Sequence, residues 1–176
     1  MFEPGNLLYF EPFIFPDGGE PKNKFFVVLG DVDETVLLAS LPTSKDHIPS
    51  DVEVKSGCLE IAERMVNAYI FMADEAITDD GFFFEKNTFI YGQNIKTYNS
   101  IAFLQQQTKG QINIELKGKL KSDVFAALKN CLKNSDAVRK RYKQYLWFPL
   151  QDCSALPFYL FMNLLGLYVR ISSYER

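Results

Sequence analysis

Lys24–Gly30 reads KFFVVLG, Asp31–Glu34 reads DVDE and Thr35–Leu41 reads TVLLASL. Two short apolar runs rich in β-branched and aromatic residues, split by a four-residue acidic turn, are too brief for helices and predict two strands. Upstream, Leu7–Phe15 is aromatic and apolar with Pro12 inside it, and PDGGEPKN at 16–23 supplies the turn residues of a loop. Three successive strands of this kind make an antiparallel meander.

Downstream, PTSKDHIPSDVEVKSG at 42–57 is polar, carries two prolines and reads as a connecting loop long enough to be a functional segment. Further strands are expected at Asn67–Met72, Phe82–Phe84, Thr88–Tyr91 and Ile112–Leu116. Past Gly118 the period changes. Leu120, Val124, Leu128, Cys131 and Leu132 recur at three- and four-residue steps, with Ser122 as N-cap, which predicts an amphipathic helix. A second helix is expected from Ser135–Asp136 through AVRKRYKQYL. Its Arg139, Lys140, Arg141 and Lys143 form the most basic segment, either a solvated face or a surface for RNA or an acidic peptide.

The fold class expected is therefore mainly β with C-terminal helices, closed as an antiparallel barrel. Residues 1–118 would form the barrel, 119–146 helices packed on it, and 147–176 an apolar tail. With 47% apolar residues in 176, the chain has enough for one core. Lys plus Arg number 19 against 22 Asp plus Glu, so the net charge of −3 excludes a general basic field, and nucleic acid can be held only by a local patch.

Cys58, Cys131 and Cys153 are odd in number and distant in sequence, which predicts neither a disulfide framework nor a zinc ribbon and fits a reducing, cytoplasmic setting. The lone histidine, His47, excludes His-rich metal sites. The start, with Glu3 and no basic residue ahead of its apolar run, argues against a secretory signal. CSALPFYLFMNLLGLYV at 153–169 is uncharged but short for a bilayer span of about 20 residues and contains Pro157 and Asn163, so packing on the domain is expected rather than a membrane anchor.

The order PGNLLYFEPF, a glycine-containing loop, a basic residue heading FFVVLG, and LLASLPTSKDHIP resembles the opening of the MazF/PemK/Kid-like toxin family. The likeness runs over residues 4 to 60, and more loosely to 134. The resemblance implies an SH3-like barrel with C-terminal helices and a homodimer. It also implies metal-independent, cofactor-free endoribonuclease cleavage of single-stranded RNA, and inhibition by a cognate antitoxin. It places Lys24 where the family has a catalytic arginine and Thr43 where it has a threonine, and Gly5-Asn6 replaces the family's Gly-Asp. An ammonium is a point charge where a guanidinium grips phosphate with two parallel N–H bonds.

Metal-free cleavage of RNA needs a base for the ribose hydroxyl, an acid for the leaving oxygen, and positive donors on the phosphorane. The assignment expected from the sequence is catalytic Lys24, Thr43 and His47, with Lys22, Ser44 and Lys45 binding RNA. An imidazole, with an ordinary pKa of about 6.5, suits the proton shuttle. The alternatives are that Thr43 and Ser44 bond only their own loop backbone, that His47 and the lysines are solvated surface, and that the protein is a non-catalytic barrel binding RNA or a protein partner. Phe25, Phe26, Phe82, Phe83, Phe84 and Tyr91 are expected mainly in the core.

Overall fold

The computed structural model describes residues 1–109 and 112–147. Its strands are β1 (Asn6–Phe13), β2 (Lys22–Val32), β3 (Thr35–Leu41), β4 (Gly57–Ile61), β5 (Val66–Phe71), β6 (Thr88–Tyr91), β7 (Ile95–Asn99) and β8 (Asn113–Lys119). Helix α1 (Ser100–Lys109) precedes β8, and α2 (Ser122–Asn134) and α3 (Lys140–Trp147) follow it. All strand pairs are antiparallel, in a five-stranded sheet ordered β7-β3-β2-β1-β8 and a three-stranded sheet ordered β4-β5-β6. The meander expected from residues 7–41 is the middle of the larger sheet.

The turn between β2 and β3 places Asp33 and Glu34 at φ 46° and 62°, the left-handed pair that a two-residue hairpin loop requires. The apolar runs of β2, β3, β5 and β6 are unbroken because these strands are buried on both faces, whereas β4, β7 and β8 are mostly half-buried or exposed. Leu7, Val27, Leu29, Leu37 and Ala39 share one core with Tyr69, Phe71 and Ile90 of the second sheet and with Phe125, Leu128 and Leu132 of α2. The alternate residues Leu8, Phe10, Phe26, Val28, Val36 and Leu38 form a second cluster, closed by Phe103 of α1. Ile70, Phe89 and Tyr91 pack outward against Ile48 of the loop after β3. Each fully buried side chain of this size contributes about 1.5–3 kcal/mol. Gly30 is required where α3 crosses β2, because a Cβ there would stand 2.7 Å from the carbonyl oxygen of Tyr145.

The fold is mainly β with C-terminal helices, its strands grouped in two sheets with no closed ring detected among the described residues; where β3 ends beside β6, the Phe89 N–H donates to the Pro42 carbonyl at 2.9 Å. Several expectations are corrected. Phe82–Phe84 is not a strand but a loop, folded by Phe82 N–H donating to Thr78 Oγ1 at 2.8 Å and Asp74 N–H to the Phe84 carbonyl at 2.8 Å. Phe82 and Phe84 serve the core, their rings 5.9 and 5.2 Å from that of Phe25, but Phe83, expected there too, is exposed. Helix α1 stands inside the 1–118 span expected to hold only strands; the Gln107 side chain accepts from Ile14 N–H and donates to the Ile14 carbonyl, each at 3.1 Å. A buried amide thus continues the pairing of β1 past its end. Ser122 opens α2 rather than capping it, and Lys121 precedes it without a side-chain cap.

Cys58 of β4 and Cys131 of α2 are joined by a disulfide across 73 residues of sequence, which overturns the reading that the cysteines would not pair. Their spacing hid it because the link is made by the docking of α2 on the second sheet. Among the described residues no helix is long and apolar enough to cross a membrane. The uncharged stretch 153–169 lies outside the described residues.

Candidate functional site

β2, β3 and β7 put Lys24, Ser40, Lys96, Thr97 and Tyr98 around one cleft of about 430 Å³, with Phe13, Phe15 and Phe26 in its wall. Antiparallel register assembles it. Phe26 pairs with Ser40, and Leu38 pairs with Lys96, so residues far apart in sequence reach the outer face of the larger sheet. The segment after β1, held by Gln107, brings Phe15, Pro16 and Asp17 to the rim.

The Lys24 ammonium lies over the Phe15 ring at 5.1 Å from its centroid. Burial first, then the charges of Lys96 and Lys22, hold that ammonium below the ordinary lysine range. Burial, with smaller contributions from Tyr142 and Asp17, pushes the Tyr98 phenol up. Among the described residues, ion pairs within 4.0 Å occupy Lys55, Arg64, Lys117 and Lys119 but neither Lys24 nor Lys96. The cleft therefore presents two cations that repel each other, hydroxyl donors and flat apolar walls. That combination suits an anion attached to a planar group.

The residues picked from the loop after β3 lie elsewhere. His47 is exposed, with its ring edge-on to Tyr91 at 4.9 Å, and lines a separate cavity of about 220 Å³ with Arg64, Asn67 and Gln93. The Tyr91 hydroxyl donates to the Ser44 carbonyl at 2.7 Å, and Ser44 Oγ accepts from Asp46 N–H at 3.2 Å, so Ser44 serves the loop's own folding. Thr43 and Lys45 are exposed on the same loop, and Lys22 is exposed at the start of β2, its charge felt by Lys24. The structure thus separates Lys24 from His47 into different cavities.

Arg64 is engaged by Asp51, at 3.2 Å and 3.4 Å, and the Asp51 carboxyl is held below its usual range first by that hydrogen bond. Buried Asn67 donates to Glu60 at 2.7 Å, while its Oδ1 has no partner. Among the described residues no group of His, Cys, Asp and Glu is arranged to hold a metal.

Sequence reasoning missed Lys96, Thr97 and Tyr98. β7 is a short edge strand, IKTYN, without an apolar run, and only its pairing with β3 carries these residues to Lys24. No family model, curated protein or solved structure matches the chain.

Proposed function

We propose that the protein binds single-stranded RNA in the cleft between Lys24 and Lys96. In this reading it is a divergent relative of the MazF/PemK/Kid-like toxins, its SH3-like barrel opened into two sheets. The observation that carries the reading is the pair of ammonium groups that make no ion pair among the described residues, set in an aromatic-walled cavity where Asp17 is the one acidic lining residue. Cations neutralise the phosphates and rings stack a base, which is how single strands are held without a groove to read. The β1–β2–β3 meander, with β6 beside the end of β3, supports the barrel ancestry. An antitoxin and a homodimer belong to the same proposal.

Cleavage is the stronger form of this reading, and one observation favours the weaker, non-catalytic form. The imidazole that would carry the proton lines another cavity than the cation that would hold the phosphate. Induced expression in a bacterial host, scored for growth and for the integrity of total RNA, separates the two. Binding alone predicts RNA co-purifying intact with the parent protein and lost from Lys24→Ala. Cutting predicts growth arrest and fragmented RNA, both abolished by the same change. Purified protein that retains no RNA at low salt overturns both forms.

A further inference from the structure

The RNA reading uses Lys24 only as a charge, yet its place in a walled cavity beside Lys96 also eases the loss of its proton. Its nitrogen lies over the Phe15 ring at the wall of a cavity that also contains Phe13, Phe26 and Tyr98. Among the described residues no carboxylate stands within 4.0 Å of it. Lys96 lines the same cavity from β7, and Ser40, Thr97 and Tyr98 bring hydroxyls to it.

We propose that Lys24 is a nucleophilic amine and that the cleft admits a small anionic carbonyl compound, whose charged group Lys96 holds while Lys24 attacks the carbonyl carbon. The amine lone pair forms the new C–N bond as the carbonyl π pair moves to oxygen. That oxygen takes up the proton the nitrogen loses, giving a carbinolamine. Loss of water then leaves an imine, so one amine and one carbonyl become one imine and one water, with no oxidant or reductant consumed. Ser40, Thr97 and Tyr98 line the same cavity, and their hydroxyls are the groups this proposal assigns to the proton relay. Tyr98 remains a proton donor because burial raises its pKa.

An amine gains nucleophilicity when desolvated beside other cations, since both disfavour its protonated form. The ionisable groups facing Lys24 are Lys22 on its own strand, Lys96 and Tyr98 on β7, and Asp17 on the loop after β1. Two features favour the ammonium instead, the Phe15 ring beneath the nitrogen and the Asp17 carboxylate, which makes no ion pair with Lys24 among the described residues. Burial and the two cations together set the direction, holding the ammonium below the ordinary lysine range.

The test treats the full chain near neutral pH with glyoxylate and cyanoborohydride, then maps the reduced adducts by peptide mass spectrometry. Because all lysines compete within one folded molecule, the comparison needs no variant. Lys24 is expected to react roughly fivefold or more faster than exposed lysines such as Lys45 and Lys55. Lys96→Met is expected to slow reaction at Lys24 and shift its pH profile to more alkaline values, and Lys96→Arg to preserve both. Acetaldehyde, lacking the anionic group, is expected to show no dependence on Lys96 beyond the pH shift. Labelling of Lys24 no faster than of exposed lysines, or indifference of Lys24 to Lys96→Met, overturns the proposal; RNA binding draws on the protonated fraction of the same lysine and is read separately, by its salt dependence.

Discussion

Tyr91 ties the second sheet to the loop that follows β3, through its hydrogen bond to the Ser44 carbonyl and its edge contact with His47. Burial pushes its phenol up to about 12; the backbone N–H of His47 pulls the other way, and Asp46 adds to the rise. In the unfolded chain the same group titrates near 10. Below pH 10 both states hold the proton, so the contribution is fully present. Between about 10 and 12 only the unfolded state releases it, and stability falls as pH rises. Urea denaturation of the parent should therefore show a decline over that window that is smaller in Tyr91→Phe, which loses about 1 kcal/mol at neutral pH instead. Equal pH dependence in the two proteins would contradict this account of Tyr91. Nothing in TFIY at 88–91 announces such a role, since it arises from the loop that folds over it.

The elements legible in the sequence were those whose own residues decide their conformation. TVLLASL is a strand over Thr35–Leu41 and TFIY over Thr88–Tyr91, as their β-branched and aromatic runs require, and the periodicity past Gly118 yields α2. β4, β7 and α1 were not legible because tertiary partners fix them. α1 has the weakly patterned sequence SIAFLQQQTK and is held by buried Phe103 and by Gln107 bonded to Ile14. The same separation hid the Cys58–Cys131 link between β4 and α2. Closing a loop of 73 residues restricts the unfolded chain, so loss of the bond should cost roughly 2–5 kcal/mol. Cys58 is exposed, within reach of a thiol reductant. The thermal midpoint should fall on adding dithiothreitol, and Cys58→Ser should start from the lower midpoint and not respond; a parent midpoint unmoved by verified reduction would contradict the stabilising role of this bond.

At the scale of the molecule, a chain of net charge −3 can hold RNA only where its cations are concentrated, and the Lys24–Lys96 cleft, whose ammonium groups make no ion pair among the described residues, meets that condition on the outer face of the five-stranded sheet. The sequence pointed to Lys24, but it set that residue against Thr43–His47, because a meander drawn in sequence order leaves out β7. The measurement that tests the central claim most directly is the fluorescence anisotropy of a labelled single-stranded RNA, titrated at several salt concentrations with the parent, Lys24→Ala, Lys96→Ala and Lys45→Ala. The account predicts binding by the parent, with a salt slope that drops by about 0.7–1 when Lys24 or Lys96 is removed and is unchanged when Lys45 is removed. No binding at low salt, or one slope shared by all four proteins, would contradict it.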